Sequence, residues 1–141
     1  MKRFSYPVKL EAADEGGYVI TFRDFPEAIT QGESIEESLE EAVDCLAEAI
    51  AARIDDGREI PESSDLEAGE YLVAVPMQIA LKGALYSALN ESGMAKTQLG
   101  ELLGKDEKEI RRILDPHHGT KIPTIEQALR VLGKRLELHV R

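Results

Sequence analysis

Cysteine is almost absent: Cys45 stands alone in 141 residues, which excludes an internal disulfide and a cysteine-based zinc site. Histidine is missing before His117, so most of the chain lacks the commonest general base and metal ligand. No apolar run approaches the roughly 18 residues a membrane-crossing helix needs, and no basic start leads into an apolar stretch with a small-residue cleavage site. These absences predict a soluble, cytoplasmic protein with no membrane contact. A wholly disordered chain is excluded in turn, because 43% of the residues are hydrophobic. Cys45 itself has helical neighbours and reads as a core thiol.

Basic residues are scarce in one half only. A net charge of −10 disfavours nucleic-acid binding if the chain is one object, since affinity for phosphate comes from basic groups. Residues 1–75, however, hold 6 Lys/Arg against 19 Asp/Glu, a net of −13, while residues 76–141 hold 11 against 8, a net of +3. This break predicts two domains, 1–75 and 76–141, with different partners.

In the acidic half, Phe4, Tyr6, Val8 and Leu10 alternate with polar residues as in a half-buried strand. The turn residues 13–17 follow, and Tyr18, Ile20 and Phe22 resume the alternation, so the two segments read as a hairpin. A short third strand is expected around Ala28 to Gln31. Ser34 with Glu37 forms a capping box, and Ile35, Leu39, Ala42, Val43, Leu46, Ile50 and Ile54 recur at helical spacing beneath an anionic face. Gly57 is placed to end that helix. A polar loop from Glu59 to Gly69 carries Ile60 and Leu66, and Tyr71 to Val75 reads as a buried fourth strand. The order is βββαβ, an α+β layer.

The many carboxylates invite metal or acid/base chemistry. They are mostly consecutive surface positions of one helix, with no histidine, glycine-rich loop or nucleophile beside a base. The expectation is therefore no enzyme, no cofactor and no metal. A face of this charge suits a basic protein partner.

In the basic half, Ile79, Leu81, Leu85, Ala88 and Leu89 mark a helix ending at Gly93. A second helix begins at Met94-Ala95-Lys96, with Leu99, Leu102 and Leu103 inward, and Gly104 supplies a tight turn. Asp106 is a natural N-cap for a third helix, with Ile110, Ile113 and Leu114 inward. At about 100° per residue, Lys105, Lys108, Arg111 and Arg112 fall at least about 100° from Ile110. Helix, glycine turn and basic-faced helix make the helix-turn-helix pattern, which implies binding to double-stranded DNA. The adjacent His117 and His118 lack a third ligand and read as part of a loop near the DNA backbone, with Lys121 beside them. Pro123 and a Thr124 to Gln127 capping box open a fourth helix through Ile125, Ala128, Leu129 and Leu132. Leu136, Leu138 and Val140 then alternate as a terminal strand, which needs a partner in strand 71–75 or in a second copy. A single helix-turn-helix contacts half a site, so a homodimer or higher even-numbered oligomer is expected.

Tyr18-Val19-Ile20-Thr21-Phe22, then Phe25-Pro26-Glu27-Ala28-Ile29-Thr30-Gln31-Gly32-Glu33-Ser34 and the helix to Glu48-Ala49-Ile50, resemble the HicB antitoxins of bacterial toxin-antitoxin pairs. Lys96-Thr97-Gln98-Leu99-Gly100-Glu101-Leu102-Leu103-Gly104 with Ile110 to Leu114 resembles the Cro/repressor-type helix-turn-helix that one HicB branch carries. The resemblance implies a partial ribonuclease H-like fold in residues 1–75, without ribonuclease activity. It also implies that this domain binds and blocks HicA, a small basic mRNA endoribonuclease, and that the second domain represses the operon. On this reading Lys96, Thr97, Gln98, Lys105, Lys108, Arg111, Arg112, His118 and Lys121 contact DNA. Glu36, Glu40, Glu41 and Phe25 contact the toxin. The alternative is a transcriptional repressor whose N-terminal domain senses a small ligand.

Overall fold

The computed structural model describes residues 2–141, which divide into two compact units, unit 1 ending at Ala80 and unit 2 beginning at Leu81. Residues 76–80 carry no charge, so the units inherit the net charges of −13 and +3.

Unit 1 contains β1 (Ser5–Ala12), β2 (Tyr18–Thr21), β3 (Ile29–Gly32), α1 (Ile35–Asp55) and β4 (Tyr71–Ala74). The strands form one antiparallel sheet in the order β3-β2-β1-β4, with Tyr6 opposite Val73, Leu10 opposite Ile20 and Ile20 opposite Thr30. Helix α1 packs on one face of this sheet. Tyr6, Val8, Ile20 and Val73 are buried beneath it against Ala42, Leu46 and Ile50. The opposite face carries Lys9, Glu11, Val19 and Ile29, as the period of two requires.

The Ser34 hydroxyl accepts from the Glu37 amide at 3.1 Å, and Glu36 and Glu37 lie at the positive end of the helix dipole. Ile35, expected inward, is 43% exposed. The buried place in this turn goes to Ser38, because the backbone of β3 passes too close for a larger side chain. A Cβ built on Gly32 would lie 2.7 Å from the Ser38 Cα and 2.9 Å from its nitrogen.

The polar segment after α1 is a loop, as expected, but a pinned one. Its carbonyls accept from Lys2 (Ile60, 3.1 Å), Tyr6 (Pro61, 2.9 Å), Arg53 (Glu59, 2.9 Å) and Arg23 (Asp65, 2.7 Å). The Asp24 carboxylate accepts from both the amide and the hydroxyl of Ser64, and the Ser63 hydroxyl bonds the carbonyl of Ser5. Ile60 is buried under the segment while Leu66 faces solvent. Burial raises the Tyr6 phenol well above its ordinary value, with Asp24 adding to the effect, so the hydroxyl remains a donor.

Unit 2 takes in most of α2 (Met77–Ser92), then α3 (Lys96–Leu103), α4 (Glu107–Leu114) and α5 (Ile122–Val131). Leu85, Leu99, Ile110, Ile113, Ile125 and Leu129 are central to its core. Gly104 sits at φ 67° between α3 and α4, a left-handed geometry natural to glycine. Gly100 lets the chain close over it, since a Cβ there would lie 2.9 Å from the Lys105 carbonyl oxygen.

Three expectations fail in this unit. Leu102, expected inward, is 55% exposed, because Leu99 and Gly100 take the face of α3 turned to the core. Thr124 caps nothing: α5 starts at Ile122 with Lys121 as its cap, which puts Thr124 inside the first turn, its amide bonded to the Lys121 carbonyl at 3.1 Å. Leu136, Leu138 and Val140 form no strand within the chain: the one sheet among the described residues holds β1 to β4 alone, and the segment after α5 pairs with none of them.

Replacing Gly32 by alanine should lower stability by about 1–3 kcal/mol through overpacking against Ser38. The Gly119→Ala variant, where a Cβ meets nothing within 4 Å, is the control expected near zero. Urea denaturation followed by circular dichroism gives both values; equal midpoints would show that the sheet and helix have room to part.

Candidate functional site

Helix α4 is short and strongly two-sided. Asp106 caps it by accepting from the Glu109 amide at 2.8 Å, and Ile110 and Ile113 are buried. Lys108, Arg111 and Arg112 are exposed on the remaining surface. So are Lys96, Thr97 and Gln98 at the start of α3, and His118 and Lys121 in the loop before α5. Lys105 is half-buried, its Nζ 3.6 Å from Glu109 Oε2. All nine residues expected at DNA thus lie on one continuous segment, from Lys96 to Lys121.

The basic face is less purely basic than the sequence suggests. Asp106, Glu107 and Glu109 crowd the start of α4, and Arg111 Nη2 lies 3.1 Å from Glu107 Oε1 across one turn. Both partners are largely exposed, at 74% and 83%, so the pair adds little stability and opens readily to a competing acceptor. Acidic groups in the first turn suit the helix dipole but repel phosphate.

Below this face lies a residue that pattern reading missed. Lys82 on α2 is 1% exposed, yet its ammonium donates to the carbonyls of Arg112 (3.1 Å) and Ile113 (2.7 Å) and to Thr120 Oγ1 (2.6 Å). Three donors meet three acceptors, which is how a buried ammonium is tolerated. The contact caps the last turn of α4, whose carbonyls have no partner within their own helix, and ties the following loop to it. Burial pushes the Lys82 ammonium down to about 8, with Asp115 opposing the shift. The signal was present in the sequence: position 82 lies three residues before Leu85 and seven before Leu89, on the inward stripe of its helix.

In unit 1, Glu36 and Glu40 project from α1 into solvent and Glu41 is half-buried. Phe25, expected at the toxin surface, is instead fully buried. Its ring meets Tyr6 edge-on at 4.9 Å, and the Arg53 guanidinium stacks over it at 4.8 Å. Arg53 in turn grips Glu27 through two bonds of 2.7 and 2.8 Å and holds that carboxyl down at about 2. A ring locked in this way cannot leave the core for a partner. The apolar groups that do reach solvent on this unit include Ile29, 66% exposed on the edge strand β3, with Val19 on the neighbouring strand. Cys45 is half-buried, and burial raises its thiol, as befits a packed side chain. No group of three or more potential metal ligands occurs among the described residues, and no helix among them is long and apolar enough to cross a membrane.

Residues 5–84 match the model of a family described as the HicB-like antitoxin of bacterial toxin-antitoxin systems. Antitoxin HicB of Escherichia coli strain K12 is 40% identical over 133 residues, covering 94% of this chain and 96% of its own. The chain belongs to the HicB antitoxin family. Antitoxin HicB 2 of Photorhabdus laumondii is 44% identical over 137 residues, and antitoxin HicB of Pseudomonas fluorescens is 35% identical over 136. They cover 97% and 93% of this chain, and 96% and 91% of their own lengths. HicB similarity therefore runs through both units, and the family is one of antitoxins and not of enzymes.

Replacing Lys82 by methionine should lower the stability of the second unit by about 1–3 kcal/mol, because buried carbonyls lose their donor. The pH dependence has a definite sign. Between about 8 and 10.5 the unfolded chain binds a proton at Lys82 that the folded chain has released, so wild-type stability should rise with pH across that window relative to the Lys82→Met variant. Below pH 8 both states are charged and the difference should be flat. Denaturation of the two proteins in parallel from pH 7 to 10 measures it; a difference that falls above pH 8 contradicts the assignment.

Proposed function

We propose that this chain is the antitoxin of a type II toxin-antitoxin pair, acting in the cytoplasm through two modules. The acidic N-terminal module binds and neutralises a HicA-like mRNA endoribonuclease. The basic C-terminal module is a Cro/repressor-type helix-turn-helix, built on α3 and α4, which binds operator DNA as part of an even-numbered oligomer and represses the operon.

The observation that carries this reading is the charge division between the two compact units, −13 against +3. An RNA-cutting partner must itself be basic to hold phosphate, and a strongly acidic surface attracts it while turning nucleic acid away. Electrostatics sets the rate and selectivity of such an encounter, and buried apolar anchors hold the complex. Ile29 and Val19 are suitable anchors, since Phe25 is not available. In the C-terminal module Lys108 and Arg111 stand where a reading helix meets base edges, whereas Lys96 begins the preceding helix, where a phosphate contact is expected. The Arg111 side chain gives up only a weak ion pair to do so.

Co-expression with a HicA-like toxin tests the first half: the two proteins should co-purify and the nuclease should be silent in the complex. Reversing Glu36, Glu40 and Glu41 to lysine should slow association in low salt, and Ile29→Asp should speed dissociation. Unchanged kinetics for both variants would put the toxin elsewhere.

The second half is tested on the operator. Lys108→Ala or Arg111→Ala should weaken operator binding more than random-DNA binding, by the roughly 1–3 kcal/mol of a lost base contact. Lys96→Ala should weaken both alike and reduce the salt slope by about one. If all three lower both affinities by one common factor, α4 is not the reading helix.

A further inference from the structure

We propose that Lys82 is a positioning residue for DNA recognition, a role that rests on the reading of α4 as the helix that meets DNA. One ammonium holds the end of α4 and the loop before α5 together. It thereby fixes where the base-reading side chains stand relative to those on phosphate, and sets discrimination between sequences without touching DNA.

The ammonium is a junction of three elements. Its stem leaves α2 on the stripe that also carries Leu85 and Leu89, both buried in the core of unit 2. At 1% exposure it cannot itself reach a duplex. Its donors reach the carbonyls of Arg112 and Ile113 in the last turn of α4 and the Thr120 hydroxyl at the far end of the loop. Thr120 adjoins Lys121, whose carbonyl receives the Thr124 and Ile125 amides and so opens α5. The near end of the loop is braced locally. There the Asp115 carbonyl accepts from the His118 amide at 3.2 Å, and the Asp115 carboxylate accepts from the His117 amide at 2.9 Å. Between these fixed ends His117, His118 and Gly119 are exposed.

Two kinds of contact side chain stand on this frame. Lys108 and Arg111 are exposed on α4, and His118 and Lys121 are exposed to either side of Thr120. A side chain that reads a base edge must be held within about 0.5 Å of its productive place. A lysine on phosphate bears more displacement, being a point charge on a flexible stem. The eight residues of α4 span about 12 Å, so a tilt of about 10° at one end carries the other by about 2 Å. That is enough to break a base contact and too little to lose a phosphate. Phosphate contacts set the register of a protein on the duplex, provided they are rigidly joined to the reading helix. Lys82 is that joint, because its bonds to α4 and to Thr120 converge on one atom. Releasing it lets the loop keep its phosphates while α4 drifts.

An ammonium that merely stabilised the fold would act on all binding alike, since loss of folded protein lowers affinity for every duplex by one factor. The experiment reads this difference. The full chain selects its preferred site from a pool of random duplexes, and affinities for that site and for a shuffled duplex of the same composition are measured against salt. Thr120→Val keeps the shape of the side chain and removes the hydroxyl that the ammonium holds, Thr120→Ser keeps the hydroxyl, and Lys82→Met removes the donor. Circular dichroism and urea midpoints check each fold. Thr120→Val and Lys82→Met should lower the ratio of selected-site to shuffled-duplex affinity by about tenfold, the worth of one good base contact, with the salt slope unchanged. Thr120→Ser should keep the wild-type ratio. Where Lys82→Met does not fold, Thr120→Val decides alone. A fall in both affinities by a common factor, an unchanged ratio in Thr120→Val, or a Thr120→Ser variant that behaves as Thr120→Val overturns the proposal and leaves DNA binding standing. A wild-type chain that selects no site removes the DNA reading and this proposal with it.

Discussion

The ammonium of Lys82 gathers three oxygens of the second unit, the carbonyls of Arg112 and Ile113 and the Thr120 hydroxyl, onto one buried charge. An eight-residue helix such as α4 satisfies few of its own end groups, and beyond the Asp115 amide, which donates to the Arg112 carbonyl, its last carbonyls take a donor from outside. Lys82 is that donor, and it reaches them from a different helix. The result fixes the far end of α4, where the carbonyl of Arg112 is bound from within while its side chain is exposed to solvent. The exposed basic surface is therefore mounted on a buried cation, and the orientation of one depends on the other. Arg53 does comparable work in the first unit, joining the end of α1 to Glu27, the Phe25 ring and the Glu59 carbonyl.

Placing both cations against the backbone has a cost in sequence freedom. A neutral residue at position 82 would strand the buried Ile113 carbonyl, and burying the charge without its acceptors would cost more still. The surfaces around them are under weaker constraint. Exposed pairs such as Arg111 with Glu107 or Lys9 with Glu11 are screened by water and contribute little to stability, which leaves those side chains free to serve partners.

How much of this could be read from the chain follows from what periodicity reports. It reports which side of an element avoids water, so the four strands of unit 1, its long helix and the four shorter helices after it were all legible. It does not report how closely two backbones approach. For that reason Ile35 looked buried until Gly32 brought β3 down on Ser38, and Leu102 looked inward although Leu99 and Gly100 already filled the contact. Phe25 was expected at the toxin surface, because no local pattern reveals an arginine 28 positions away stacked on its ring. Thr124 matched a capping pattern that the chain leaves unused, with the helix beginning two residues earlier. Lys82 was the reverse case: its position on the inward stripe was visible, but a charge there reads as noise unless its acceptors, 30 to 38 residues distant, are known.

The pinned segment between α1 and β4 has a bearing on how long the molecule lasts in a cell. Cleavage of a folded chain requires a stretch of backbone to open, and the rate is set by the free energy of that local opening. Long surface loops are ordinarily where nicking starts. Here the carbonyls of Glu59, Ile60, Pro61 and Asp65 are each tied by a side chain from elsewhere in the unit. Freeing the loop means breaking contacts that also hold β1, α1 and the Phe25 ring. A protease thus gains no early entry at the middle of the acidic unit, and survival there becomes a property of the unit as a whole.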